Sequence, residues 1–424
     1  MRVRTSTFAV FMVLAVAASA QRAVDNFPQE PTYSVLHAFG SGSDGGGVWD
    51  SVVFDKQGNL YGTTSGGGEY DYGTVFELSP VQNGEWTEAI LQDFQNGDRN
   101  GSEPNGGLVA GGAGDLYGTT QRGGAYYAGV VFELTPGAGG WDYTVAYDFG
   151  APGTLACCPW GNLIAGPGDS LYGTGYVAFE LSPAPDGRIE DALHTFTGRN
   201  GDGLGPQAGP IMDSAGNLYG TTLNGGGSPV CPANDGCGTV YELEPAAVGA
   251  WAPGITAWKE RILHRFGYTS EDGVFPGVGQ LAIDPQGSLY GTADGGEYRS
   301  GIVYRLTLIP AARGGIWAET ILYNFTGHAD GYEPSGGVTL DSAGNLYGTT
   351  INGGAPLCGC GVVYKLSPQP DGQWQYTLLH TFVGSDGAEP DANLTIGPDG
   401  NLYGTASAGG TYGGGVVFQI QIAP

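Results

Sequence analysis

The residues that could do chemistry in this chain are carboxylates, tyrosines and one tryptophan in loops. An Asp-Gly pair with a proline three residues on appears at Asp202-Gly203, Asp272-Gly273 and Asp386-Gly387. Asp330-Gly331 carries its proline at the same relative place, Asn100-Gly101 is an amide version, and Asp44-Gly45 lacks the proline. The acidic or amide residue always stands 16 or 17 positions before a repeated leucine, so these side chains occupy equivalent places. Glu103, Glu333 and Glu389 add charge just before the proline. Two readings fit. An Asp-Gly pair makes turns, its carboxylate bonding backbone nearby. Alternatively Asp44, Asp202, Asp272, Asp330 and Asp386 form a ring of oxygen ligands around a channel mouth, with calcium as the expected cation.

A second loop set is rich in glycine and carries Tyr70, Tyr72, Tyr126, Tyr127, Tyr298 and Tyr412. Tyrosines there suit stacking on sugar rings. Trp160 follows Cys157-Cys158-Pro159, where the other units have Asp-Gly. The unit holding Trp160 has almost no second loop, from Gly173 to Val177, whereas the next has the longest insertions. A low unit beside a tall one predicts a groove near Trp160, the default place for a ligand.

Four of the five histidines, His37, His194, His264 and His380, share one slot two residues before a phenylalanine. They read as outer-strand residues on separate units. Cys231 and Cys237 bracket a Pro-Ala-Asn-Asp-Gly loop and are expected to form a disulfide. Cys157 with Cys158, and Cys358 with Cys360, are spaced too tightly for an unstrained bridge, and no cysteine pair has the histidine spacing of a zinc finger. No nucleophile motif is legible, and no carboxylate pair stands out from the repeat. Catalysis therefore stays open, and the weight falls on binding.

The elements that position these residues come from a repeat. Leu-Tyr-Gly-Thr recurs with its tyrosine at Tyr61, Tyr117, Tyr172, Tyr219, Tyr290, Tyr347 and Tyr403. Each unit reads as four strands, and no segment shows sustained helical periodicity. The seventh unit lacks its fourth strand, and a matching strand, Tyr33 to Phe39, precedes the first. The pattern predicts an all-β, seven-bladed propeller of four-stranded blades, closed by the N-terminal strand completing the last blade. The repeat tyrosines are expected to pack between blades. Loops leaving the fourth strand then share a face with loops between strands two and three.

The run Gly-Asn-Leu-Tyr-Gly-Thr-Thr, then Gly-Gly, then Gly-Val-Val-Phe-Glu-Leu, resembles the tandem repeat of the secreted bacterial "GloVer" family. That family combines such repeats with a choice of surface anchors, and this chain shows no anchor or sorting tail. The resemblance implies a propeller and export, and it carries no established activity.

The 424 residues hold 42 acidic and 15 basic side chains, a formal charge of −27. That excludes the basic surface a nucleic-acid binder needs. Residues 1–20 read as a signal peptide, with Arg2 and Arg4, an apolar run from Phe8 to Ala17, and Ala18-Ser19-Ala20 at the cleavage site. Residues 21–31 form a linker and 32–424 the propeller. Secretion, to the exterior or the periplasm, is expected, with no membrane span after cleavage and a monomeric state. The resulting reading is a secreted binding propeller for extracellular polysaccharide or a cell-surface ligand. A propeller glycan hydrolase or lyase and a structural or adhesive surface protein are the alternatives.

Overall fold

The structure is a computed structural model. It describes residues 31–422 apart from 41, 96, 98, 155, 186, 232–234, 246–257, 270 and 311–314. The expected signal peptide and most of the linker lie outside the described residues. Seven antiparallel sheets form the blades of a propeller, six of four strands and one of four with an added strand, Gly273–Pro276, and a separate two-stranded pair joins Gly203–Leu204 to Asn224–Gly225. Among the described residues the only helical segments are two 3-10 turns, Gln82–Gly84 and Pro167–Asp169. In the first blade, Val53–Phe54, Leu60–Thr64, Thr74–Pro80 and Trp86–Asp93 pair in chain order. The last sheet holds Thr395–Ile396, Leu402–Ala406 and Val416–Gln421, and its outer strand is Thr32–Ala38. The register runs from Thr32 opposite Gln421 to Ala38 opposite Val416.

The repeat motif is the second strand of each blade, and it is buried along its whole length. Its glycine is required by packing. A Cβ at Gly62 would lie 2.5 Å from the ring of Phe76 on the third strand. Its threonine ties blades together. Thr63, Thr174, Thr292, Thr349 and Thr405 donate to the carbonyls of Gly106, Ala208, Gly336, Ala392 and Asp50, each on the next blade around the ring. Its tyrosine is buried, and in five blades its hydroxyl donates to the aspartate of the preceding turn, as Tyr61 does to Asp55 at 3.0 Å. The apolar clusters lie between blades, as expected of the tyrosines. One joins Tyr61, Val75 and Phe94 of the first blade to Leu108, Leu116 and Phe132 of the second.

Two irregularities recur. First, every pairing of third and fourth strands contains a β-bulge, as where Val75 faces Gln92 but Phe76 faces Ile90. The extra residue flips the side-chain alternation. Residues on either side of it that alternation alone would put on one face look in opposite directions, toward the two neighbouring blades. Second, a residue seven to nine positions after the fourth strand's phenylalanine sits in the left-handed region in every blade. It is Gly47, Glu103, Cys158, Gly205, Phe275, Glu333 or Glu389, with φ between 51° and 68°. In six blades, all but that of Gly205, its N–H bonds back to the previous blade, as Glu103 to Tyr72 and Glu333 to Ser300. Its carbonyl bonds forward into its own blade, as Glu103 from Gln121 and Glu333 from Ile351. That two-way bond requires the unusual backbone.

Candidate functional site

Each chain segment entering an inner strand passes close to the propeller axis. Mostly these segments carry small residues: Gly106-Gly107, Ala208-Gly209, Gly336-Gly337. Three of them break the pattern, with Trp49-Asp50, Trp160-Gly161-Asn162 and Asp391-Ala392-Asn393. Together with Asn105, Gln207 and Gln280 they line an axial pocket of about 480 Å³. Trp49 and Trp160 are 47% and 44% exposed, so both indole faces are available at its mouth.

The pocket floor is polar and internally braced. The Asp50 carboxylate accepts from the Asn162 amide at 2.9 Å and from the Ser51 N–H and hydroxyl. Asn162 in turn accepts from the Gly107 N–H at 2.6 Å. Opposite, Asn393 accepts from the Gln280 N–H, and the Gln280 amide donates to the Pro210 carbonyl. Asp391 is placed differently, because its Oδ1 is buried without a hydrogen-bond partner. Burial, then the nearby charge of Asp50, pushes its carboxyl up to about 8. Burial also raises Asp50, against the donors that favour its charge. The axis therefore holds one carboxyl that keeps its proton at neutral pH beside another that is well supplied with donors.

Trp160 also borders a second depression of about 400 Å³ with Tyr127, Tyr176, Cys158, Arg122 and Gln121. Tyr127 and Tyr176 are 74% and 65% exposed. The groove expected near Trp160 thus opens toward the second blade, not toward the tall fourth one, because the short turn at Gly175 leaves the loop of Tyr127 standing above it. Of the other loop tyrosines, Tyr70, Tyr126, Tyr298 and Tyr412 are exposed on separate blades, whereas Tyr72 packs against an inter-blade core. Trp49, Asp50, Asp391 and Tyr176 escape a motif-based reading. Their signal is the exception: a large or charged residue in a slot where most units hold glycine, alanine or another small residue.

The five Asp-Gly aspartates are not gathered at one mouth. Each is engaged at its own blade junction. Asp202, Asp272, Asp330 and Asp386 accept from backbone N–H groups at Thr197, Tyr268, Thr326 and Val383, and Asp44 accepts from Gly40. Through the bulge, the fourth-strand slot carrying His37, His194, His264 and His380 also turns to these junctions. There it meets a slot six residues before the phenylalanine on the next blade. That slot holds Glu88, Glu260 and Glu319 opposite three of the histidines, and Tyr33 opposite His380. Burial raises Glu88 and Glu319 to about 7 and Glu260 to about 8. The histidines lie on separate blades as expected, but each has acidic company that the sequence reading missed.

Cys231 and Cys237 form a disulfide. Cys358 and Cys360 are also joined, against the expectation from their spacing. Gly359 between them takes a φ of 61°, which lets the chain fold back within one residue. Cys157 and Cys158 are thiols with sulfurs 2.7 Å apart.

Seven four-stranded blades and loops that meet at an axial pocket define a seven-bladed β-propeller. The chain belongs to the Gloeobacter/Verrucomicrobia repeat family, whose pattern matches residues 26–180 and 235–424. No curated protein sequence matches it. Among solved structures it is similar to a proposed 6-phosphogluconolactonase from Bacteroides uniformis ATCC 8492, with 15% identity and a TM-score of 0.50 over 82% of this chain and 88% of that one. It is also similar to the extracellular domain of a proposed hybrid two-component system from B. thetaiotaomicron, with 12% identity and a TM-score of 0.51 over 92% of this chain and 40% of that one. A gluconolactonase from Xanthomonas campestris aligns at 14% identity and a TM-score of 0.40, over 93% of this chain and 90% of that one. At such identities the likeness is one of fold.

Proposed function

We propose that the protein is an exported binding module for a neutral polysaccharide, taking the glycan along the groove and one ring into the axial pocket. The observation that carries this reading is the exposed aromatic set Tyr127, Tyr176, Trp160 and Trp49, in which Trp160 belongs to both the groove and the pocket. Sugar rings stack their apolar faces on such side chains, and the amides and carboxyls of the pocket floor suit hydroxyl groups. A formal charge of −27 disfavours anionic polymers. Export is supported by the N-terminal sequence. Depletion of the protein from solution by insoluble polysaccharides tests the proposal. Retention is expected on a neutral polymer, with Trp160→Ala weakening it about tenfold, near 1.4 kcal/mol. Failure of every neutral polymer to retain the protein overturns it.

Hydrolysis of the same glycan is a second reading, favoured by the protonated Asp391 beside Asp50 in a pocket otherwise free of repeat symmetry. It needs a proton donor and a carboxylate flanking one bond. Soluble products that appear with the parent protein and vanish with Asp391→Asn, while retention persists, would favour it.

A further inference from the structure

Three blade junctions carry the same trio: His37, Asp44 and Glu88; His194, Asp202 and Glu260; His264, Asp272 and Glu319. In each, one ligand atom per residue lies within 4.8 Å of the other two. The histidine Nε2 stands 3.5, 3.3 and 3.4 Å from its aspartate oxygen and 3.7, 3.5 and 3.6 Å from its glutamate oxygen. The aspartate contacts of His194 and His264 are long hydrogen bonds, and the glutamate separations lie beyond the usual range of about 2.7–3.2 Å for an N–H···O bond. They match ligand spacing around a metal, since atoms about 2.0–2.1 Å from a tetrahedral zinc ion lie roughly 3.3–3.4 Å apart.

Two further observations point inward to a missing partner. Glu260 Oε1 and Glu319 Oε1, the oxygens turned toward His194 and His264, are buried without a hydrogen-bond partner, as are His37 Nε2 and Glu88 Oε1. In each trio the aspartate oxygen also lies within 4.8 Å of the glutamate oxygen. Two facing carboxyls need a proton or a cation between them. The fourth histidine supplies an internal comparison. Opposite His380 the glutamate is replaced by Tyr33, whose ring stacks on the imidazole at 3.7 Å. There His380 and Asp386 close to 3.0 Å, an ordinary hydrogen bond.

We infer that the three His-Asp-Glu junctions are binding sites for a zinc-class divalent cation, each tying one blade to the next. One imidazole and two carboxylates per site leave a fourth position for water. Imidazole nitrogen and this low ligand count suit zinc better than calcium, which takes six to eight oxygens. The aspartates expected to hold calcium therefore divide. Asp44, Asp202 and Asp272 serve zinc-class sites, while Asp330 and Asp386 fall in no such trio.

The test is titration of the chelator-stripped full chain with Co²⁺, read by visible absorption, followed by displacement with Zn²⁺. Up to three equivalents per chain are expected, with intense tetrahedral-type bands. Glu88→Gln, Glu260→Gln and Glu319→Gln each remove one equivalent, His380→Gln removes none, and an equal concentration of Ca²⁺ displaces none. A parent chain that binds no Co²⁺ or Zn²⁺ overturns the inference, whatever the folding of the variants. Uptake that survives in the folded triple Glu→Gln variant overturns it as well.

Discussion

Asp391 sits in an environment far from that of an exposed aspartate. Its carboxyl is held near 8 in the folded protein, against about 3.9 for an unfolded aspartate. Below pH 4 both states carry the proton and there is no penalty. As pH rises from 4 to 8 the unfolded chain ionises first, so the stability this group contributes falls, and the full cost is reached above 8. Asp391→Asn removes that slope. The stability difference between variant and parent, from urea unfolding at a series of pH values, is expected to be near zero at pH 4. It should grow to a few kcal/mol in favour of the variant above pH 8, on the order of 1.4 kcal/mol for each tenfold difference in proton affinity between the folded and unfolded chains. A constant difference across that range would place the proton elsewhere. Trp160 was legible in the sequence because its segment lacked the Asp-Gly pair. Trp49, Asp50 and Asp391 were not, because a repeat reveals which slots are equivalent but not which of them face one another across the axis.

At the scale of elements, the bulge and the left-handed link divide what could be read from what could not. Strand content and turns followed from β-branched alternation and Gly-Asn pairs, and each strand type was found where the pattern put it. The histidine–glutamate meetings were hidden because alternation places slots two and six before the phenylalanine on the same face. One bulged residue such as Leu91 separates them. The left-handed link was hidden because glutamate, cysteine and phenylalanine occupy it in five blades, residues that rarely advertise a positive φ. Gly205 isolates the backbone effect, since its φ is 68° and nothing lies within 4 Å of an added Cβ. Gly205→Ala is expected to cost about 1–2 kcal/mol, read as a lower urea midpoint with an unchanged m-value. The reverse change, Phe275→Gly, should gain less from relieved strain than it loses in packing. An unaffected Gly205→Ala would mean that the left-handed backbone at this link carries no strain.

For the whole molecule, the seventh sheet matters most. Its outer strand comes from residues 32–38, and Phe39 beyond it is fully buried in the core between the last and first blades. A chain lacking residues 32–40 is expected to lose the single cooperative unfolding transition and to associate through the bared edge of Val416–Gln421. A peptide spanning 32–40, added in trans, should restore part of the lost stability. An undiminished melting temperature in the shortened chain would show that this pairing does not close the ring. Blade number and strand count were readable because the same unit recurs. The axial pocket was not, since its walls come from segments spread between residues 49 and 393.

The pairing of Thr32–Ala38 with Val416–Gln421 also sets an order of events. Thr32–Ala38 leaves the ribosome long before its partner, which follows only after almost the whole propeller, roughly 20–80 s later at 5–20 residues per second. Throughout that interval it is a bare β-edge tethered to six maturing blades. A chain arrested late in synthesis or export would present that edge to its neighbours, so holdases that bind extended segments have a natural target in residues 32–38.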